Sequence, residues 1–189
     1  MGIKYDPRIH HRRSIRLPGY DYSQEGAYFL TICAQGRECL FGDIQEDLVT
    51  LSDYGNIVDQ GWHQLPIRFN TVELDESVIM PNHFHGIVVI HGGAEAASEP
   101  VTNGEAAGGG IPSRRGKPNL GQIVAYFKYQ TTKRVNEQRD TPGQKVWQRN
   151  YYEHIIRSEL SLDHLRHYIR HNPQRWAVDQ LHPQVPSKW

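Results

Sequence analysis

Hydrophobic residues along this chain recur with two different spacings, and the two spacings together predict four strands and three helices. Short runs rich in β-branched and aromatic residues predict strands over 28–33, 71–80, 83–90 and 147–156. Apolar residues three and four positions apart predict helices over about 48–65, 120–138 and 161–172. Ser161 is expected to cap the last helix, and Pro66 and Pro173 are expected to end the first and the last.

The order of these elements predicts an α+β fold. Strand, helix, strand, strand, helix, strand is the ferredoxin-like βαββαβ arrangement, with a four-stranded antiparallel sheet and here one additional C-terminal helix. Pro81 and Asn82 are expected to turn the second strand into the third, so that His83 and His85 lie at the start of the third strand. This fold supports many functions and does not by itself select one.

The segments outside this pattern predict how the chain is divided. Residues 1–22 form a basic N-terminal arm, 23–178 the folded domain and 179–189 a C-terminal tail with two prolines. Inside the domain, about 92–119 is rich in glycine and alanine and has no hydrophobic periodicity, which predicts a flexible loop.

The formal net charge is zero, but the charges are distributed unevenly. Residues 1–20 hold five Lys and Arg against one acid, and 111–175 hold thirteen against five. Residues 21–105 hold fourteen acids and two arginines. A neutral chain with this asymmetry can still present a phosphate-binding face. Basic helix faces that pair with the acidic middle explain the same numbers, so charge leaves both interpretations open.

Several protein classes are disfavoured by composition. No apolar run approaches the roughly 20 residues that span a bilayer, and the N-terminus lacks the apolar segment of a signal peptide. Cys33 and Cys39 have no zinc-site spacing. A cytoplasmic protein with reduced thiols is the simplest interpretation.

Two short segments carry candidate chemistry. His83 and His85 are two residues apart in a predicted strand, so both side chains point to one face, as a shared metal ion requires. Tyr168 and Asn172 are one helical turn apart and lie on one side of the last helix. Taken separately, each pair also fits ordinary residues, because exposed strand histidines are common and helix tyrosines often only pack.

Three motifs in this order resemble a known family. They are Met80-Pro81-Asn82-His83-Phe84-His85-Gly86-Ile87, Trp147-Gln148-Arg149-Asn150-Tyr151-Tyr152-Glu153-His154-Ile155-Ile156-Arg157 and Tyr168-Ile169-Arg170-His171-Asn172-Pro173. Together they resemble the single-tyrosine transposases of the HUH (His-hydrophobic-His) superfamily, and within it the REP-associated tyrosine transposases. The resemblance covers about 20–178.

The resemblance implies a metal-dependent single-stranded DNA endonuclease and strand transferase that cuts near palindromic hairpins. It implies that Tyr168 is the nucleophile of a 5′-phosphotyrosine intermediate, and that His83, His85 and Asn172 bind Mg²⁺ or Mn²⁺. Many insertion-sequence relatives have a glutamine where this chain has Asn172, whose shorter side chain reaches less far. The implied partner is single-stranded, hairpin-forming DNA. Insertion-sequence relatives are dimers and the REP-associated branch is expected to act as a monomer, so monomer and homodimer stay open.

A basic surface with exposed aromatic rings is expected to bind the DNA. The candidates are Arg12, Arg13, Arg16, Arg114, Arg115, Lys117, Lys128, Tyr129 and Arg149. Tyr151 and Tyr152 are expected to pack in the core or to stack on bases. His164 shares the stripe of Tyr168 and either assists it or lies on the surface, and His167 and His171 have the spacing of a metal pair but face another side.

Two other functions compete with this one. A metal-dependent amidohydrolase also begins its metal site with His-x-His, but its barrel needs about 250 residues and this chain has 189. A domesticated protein that binds hairpin or single-stranded DNA without cutting it is the second. Substitution of Tyr168 distinguishes the two functions, because a binding protein would still bind DNA whereas the enzyme would lose cleavage.

Overall fold

The computed structural model describes residues 17, 19–92 and 118–185, and it has the predicted α+β architecture. Its strands are β1 (Gly26–Cys33), β2 (Gly42–Gln45), β3 (Leu48–Leu51), β4 (Val72–Met80), β5 (His83–Ile90) and β6 (Tyr152–Ile156). Its α-helices are α1 (Asp53–His63), α2 (Leu65–Arg68), α3 (Leu120–Gln138) and α4 (Glu159–Arg170), and a 3₁₀ helix covers Pro173–Val178. None of these helices is both long and apolar enough to cross a bilayer.

Four strands form the main sheet in the order β4-β5-β1-β6, and all neighbours are antiparallel. This is the strand order of the predicted ferredoxin-like fold, which is therefore confirmed. β5 lies between β4 and β1, so the histidine strand is at the centre of the sheet and is hydrogen-bonded on both sides.

The sheet separates two hydrophobic layers, because successive side chains of a strand point to opposite faces. The larger layer packs α1 and α3 against one face, where Trp62 contacts the rings of Phe84 and Phe127. The smaller layer packs α4 against the other face, with Phe29, Ile87 and Ile169 at its centre. His83 and His85 alternate with Phe84 along β5, so they lie on the face that α4 covers.

The predicted first helix over 48–65 was wrong at its start. Residues Leu48–Leu51 form β3 of a short hairpin with β2, and α1 begins at Asp53 with Ser52 as its N-cap. The hairpin turns at Glu46 and Asp47, both with positive φ, and neither is the Asn or Gly that marks such a turn in a sequence. Pro66 lies in the first turn of the separate helix α2, where a missing N–H costs little.

The last strand and helix begin at other residues than predicted. β6 covers Tyr152–Ile156, while Trp147 forms an isolated bridge to Ala34 and fills the larger layer. Ser158 caps α4 by accepting a hydrogen bond from the backbone N–H of Ser161. Ser161 was predicted as the cap because Asp163 follows it closely, but the helix starts three residues earlier.

Residues on the far side of the predicted boundaries at 22 and 178 contact the folded domain. Tyr20 and Tyr22 pack their rings against Tyr28 of β1. At the other end, the backbone carbonyl of Leu181 accepts a hydrogen bond from Asn82. The rest of the predicted arm (1–16) and most of the predicted loop (93–117) lie outside the described residues. The division into arm, domain and tail stays a prediction.

Candidate active site

His83 and His85 open strand β5 immediately after the turn at Pro81 and Asn82. Both side chains are buried, with exposed fractions of 0% and 2%. Their Nε2 atoms are 3.1 Å apart. Burial, and for His83 also the neighbouring imidazole, lowers the pKa of these groups, that of His85 to about 3. Both rings are therefore neutral near pH 7, which is the state in which an imidazole binds a metal.

The hydrogen bonds of Asn82 determine which nitrogen of His83 is protonated. The Asn82 amide nitrogen donates to the backbone carbonyls of Arg37 and Leu181. The Asn82 amide oxygen is therefore the acceptor that lies 2.8 Å from Nδ1 of His83. The proton of His83 is on Nδ1 as a result, and its Nε2 presents a lone pair to the site.

The side chain of Thr31 is a hydrogen-bond partner of the His85 imidazole. These residues are opposite each other on β1 and β5, and the Thr31 hydroxyl is 2.8 Å from Nδ1 of His85. When that hydroxyl accepts the Nδ1 proton, the two Nε2 lone pairs of the histidines face each other. A cation bound by both nitrogen atoms would use both lone pairs.

Tyr168 lies in the last full turn of α4, and its hydroxyl is 3.3 Å from Nε2 of His85. The edge of the Phe29 ring packs against the tyrosine ring, with centroids 6.0 Å apart. Burial and the nearby Asp179 carboxylate raise the pKa of Tyr168. The phenol is therefore protonated at rest, and its ring is held with the oxygen at the histidine pair.

Asn172 follows the end of α4 and is 1% exposed. Its side chain interacts with the imidazole of His83 and with the hydroxyl of Tyr168. Its amide oxygen is buried and has no hydrogen-bond partner among the described residues. A buried, unpaired acceptor is costly, and a cation at this position would satisfy it.

Asp179 joins this site and was missed from the sequence. Single ligand atoms of His83, His85 and Asp179 lie within 4.8 Å of one another. Asp179 follows the 3₁₀ helix, whose Trp176 lies over the ring of His83 with centroids 6.1 Å apart. An isolated aspartate in a C-terminal segment has no motif or spacing that could have identified it.

The donor set and its spacing fit a six-coordinate divalent ion. Two ligands that are about 2.1 Å from an octahedral Mg²⁺, at right angles, are about 3 Å apart, and the two Nε2 atoms are 3.1 Å apart. Imidazole nitrogens with carboxylate and amide oxygens suit Mn²⁺ as well as Mg²⁺. His83, His85, Asn172 and Asp179 are the residues that could hold such an ion.

Comparison with known proteins places the chain in a family. No protein-family model matches the chain. An uncharacterised protein of Haemophilus influenzae strain Rd is 43% identical over 182 residues, which are 96% of this chain and 99% of that protein. The chain belongs to the family of that Haemophilus protein.

One solved structure identifies the fold of this chain. A REP-associated tyrosine transposase bound to a REP hairpin aligns with a TM-score of 0.56 at 17% identity, over 85% of this chain and 73% of that one. The chain has the fold of a REP-associated tyrosine transposase. A candidate transposase from Deinococcus radiodurans aligns over 82% of this chain and 95% of that one, with 14% identity and a TM-score of 0.44.

In this family member, ion pairs hold α4 against the sheet. Arg166 binds both carboxylate oxygens of Asp75, with distances of 2.6 to 3.3 Å. Arg170 binds Glu76. Both acids lie at the irregular register of β4 between Leu74 and Ser77. Hydrogen bonds from Arg166 hold the pKa of Asp75 below its usual value, so the pair is charged near pH 7.

Three of the predicted DNA-binding residues are described by the structure. The Lys128 ammonium donates to the backbone carbonyls of Gln148 and Arg149, and burial lowers its pKa to about 8. This gives Lys128 a structural role that the sequence did not indicate. Tyr129 and the Arg149 side chain are exposed. The other predicted contacts lie outside the described residues, and they are Arg12, Arg13, Arg16, Arg114, Arg115 and Lys117.

The other tyrosines and histidines singled out from the sequence lie in different surroundings. Tyr151 packs against the larger hydrophobic layer, whereas Tyr152 is 53% exposed and lies opposite Thr31 on the sheet. The rings of His167 and His171 stack with centroids 3.9 Å apart and an angle of 20°. These two rings lie face to face, whereas two ligands of one metal must converge on a point.

Proposed function

We propose that this protein is a metal-dependent single-stranded DNA endonuclease and strand transferase that acts through a 5′-phosphotyrosine at Tyr168. The observation that carries the proposal is the 3.3 Å separation between the Tyr168 hydroxyl and Nε2 of His85. The nucleophile and the histidine pair come from segments about 80 residues apart, and the fold brings them into hydrogen-bond distance. The expected role is DNA transposition or mobilisation of REP elements.

Each residue of the site has a separate task in this proposal. Tyr168 attacks the scissile phosphorus, so a bond from its oxygen to phosphorus forms and the bond from phosphorus to the 3′-oxygen breaks. The phenol proton is lost to solvent and the leaving 3′-oxygen takes up a proton. The product carries a 5′-phosphotyrosine and a free 3′-hydroxyl. Attack by another 3′-hydroxyl reverses the step and joins two strands without ATP.

His83, His85 and Asn172 are the proposed metal ligands, and we add Asp179 to them. A bound Mg²⁺ or Mn²⁺ would neutralise charge on the scissile phosphate and align it with the nucleophile. The protein supplies two neutral imidazoles and the unpaired amide oxygen of Asn172. Asn82 fixes the proton of His83 on Nδ1, and the Thr31 hydroxyl lies beside Nδ1 of His85. The buried tyrosine oxygen needs that neutralisation, because burial raises its pKa.

The DNA partner in this proposal is single-stranded and forms hairpins. The REP-associated relative with the same fold was solved with a REP hairpin bound. Residues Tyr129 and Arg149 are exposed and remain proposed DNA contacts. A protein that binds such DNA without cutting it is the alternative, and the convergence of Tyr168 with two buried histidines favours the enzyme.

The test incubates the protein with labelled single-stranded hairpin DNA from beside its own gene, with Mn²⁺ or with EDTA. We expect a covalent adduct on denaturing gels with Mn²⁺, and none with EDTA or in Tyr168→Phe. Tyr126→Phe is the matched control, because Tyr126 packs on Phe69 in the other layer. Tight binding without an adduct in any metal would support the non-catalytic alternative.

A further inference from the structure

A cavity of about 320 Å³ lies beside the tyrosine. It is lined by His164, His167, Tyr168, His171 and Arg175. Apart from Tyr168 itself, none of these residues has a role in the chemistry described above. The lining consists mostly of apolar ring surface, it includes one arginine and it has no acidic residue, which suits the flat ring of a base with an anionic group beside it.

One wall of the cavity is a flat pair of imidazoles. His167 and His171 are one turn apart on α4, and their rings stack with centroids 3.9 Å apart. Nδ1 of His171 is 2.8 Å from the backbone carbonyl of His167, which fixes the orientation of the second ring. Stacked, fixed aromatic faces at the surface are the feature on which proteins stack unpaired bases.

The lining of the cavity also includes one positive charge, that of Arg175. Arg175 is in the 3₁₀ helix, whose backbone is tied to the end of α4 by a hydrogen bond of 3.0 Å from the Arg175 N–H to the Asn172 carbonyl. Its guanidinium is close enough to oppose the rise in the pKa of Tyr168 that burial and Asp179 cause. A guanidinium is well suited to bind a phosphate through two hydrogen bonds.

We propose that this cavity seats the unpaired nucleotide that adjoins the scissile phosphate, with its base on His167 and His171 and its phosphate on Arg175. The inference rests on the proposed function and adds a subsite to it. A stacked base and a held phosphate fix the strand on both sides of one sugar. That restraint orients the neighbouring phosphorus toward the Tyr168 oxygen.

The phosphate contact is tested by neutralising single linkages of the DNA. Methylphosphonates are placed one at a time on both sides of the cleavage position, and kcat/KM for adduct formation is measured. In the wild type, one linkage next to the cleaved one should cost about tenfold, the usual size of a charged hydrogen bond. On natural DNA, Arg175→Ala should have a kcat/KM about tenfold below that of the wild type. Neutralising the same linkage should then cause no further loss in this variant.

Arg68→Ala is the matched control for the charge, because its guanidinium lies over Phe69 and Tyr126 in the other layer. It should keep the wild-type sensitivity to the neutral linkage. If Arg175→Ala is as sensitive as the wild type to every linkage, the phosphate contact is refuted.

The stacking contact is tested by abasic substitution at the same positions. Removing the seated base should cost the wild type about tenfold in kcat/KM, within the range measured for base stacking on aromatic rings. His167→Ala should be insensitive to the abasic site, and His167→Phe should regain the sensitivity, since a phenyl ring also stacks. Equal sensitivity of the wild type and His167→Ala would overturn this half of the proposal.

These outcomes are separable from the fate of the proposed function. If the wild-type protein forms no adduct with any DNA, the proposed function fails and the subsite with it. If the wild type forms the adduct but the Arg175 and His167 variants respond to the modified DNA as the wild type does, the proposed function is kept and the subsite is refuted.

Discussion

Thr31 is a sharp test of whether the histidine pair is a metal site. Its hydroxyl is 2.8 Å from Nδ1 of His85, and the variant Thr31→Val removes that hydroxyl while keeping a β-branched side chain in the strand. Without it, His85 can carry its proton on Nε2, which then points at His83 and cannot bind a metal. The variant should therefore bind Mn²⁺ more weakly.

The size of the effect follows from the burial of the imidazole. His85 is 2% exposed, and its imidazole also interacts with the backbone of Leu30. Removing the Thr31 hydroxyl takes one hydrogen bond from a buried ring, which costs about 1–3 kcal/mol. At 1.4 kcal/mol per factor of ten this predicts a rise in the Kd for Mn²⁺ of about 5- to 150-fold. Loss of a hydrogen-bond partner of a metal-binding histidine typically costs about 10- to 100-fold, in agreement.

The assay is calorimetric titration of metal-free protein with Mn²⁺ at pH 7.5. Thr50→Val is the matched control, because Thr50 is an exposed threonine in strand β3 of the separate hairpin. It should bind Mn²⁺ like the wild type. Equal Kd values for Thr31→Val and the wild type would show that the threonine hydroxyl does not direct the lone pair of His85 to the metal.

Three further predictions concern stability and the position of α4. Burial lowers the pKa of His85 to about 3, so the unfolded chain binds more protons below pH 6.5. The free energy of unfolding of the metal-free protein should fall by about 1.4 kcal/mol per pH unit, through this imidazole, as the pH falls from 6.5. Urea unfolding at several pH values should show a smaller slope in His85→Gln. Reversing the charge in Asp75→Arg should slow adduct formation, and adding Arg166→Asp should restore it, whereas a merely structural disturbance would not be rescued. A Cβ at Gly86 would lie 2.8 Å from a ring carbon of Trp62, so Gly86→Ala should lower the free energy of unfolding by about 1–3 kcal/mol, and a variant as stable as the wild type would contradict this packing.

Much of the fold could be predicted because hydrophobic residues recur with regular spacing in most of its helices and strands. α3 and β5 have the predicted bounds, since one has a regular apolar stripe between a capping Asn119 and its last turn, and the other is a continuous apolar run after a Pro-Asn turn. The β2–β3 hairpin was missed, because its turn at Glu46 and Asp47 has positive φ at both residues without the glycine that usually marks such a turn.

The site could be predicted only where its residues are close in sequence. The histidine pair and the Tyr168–Asn172 pair each have a spacing that places two side chains on one face. The contributions of Thr31 and Asp179 depend on strand pairing and on the path of the chain after α4. Neither leaves a pattern in a single sequence, because both contacts join residues more than 50 positions apart.

Mass spectrometry of the adduct identifies the residue that carries the DNA. The adduct formed with Mn²⁺ is digested with nuclease and trypsin, and the modified peptide is sequenced by mass spectrometry. We expect a nucleotide on Tyr168, in the peptide His167–Arg170, present with Mn²⁺ and absent with EDTA. DNA cleavage without any protein adduct, or a nucleotide on a different tyrosine, would contradict this expectation.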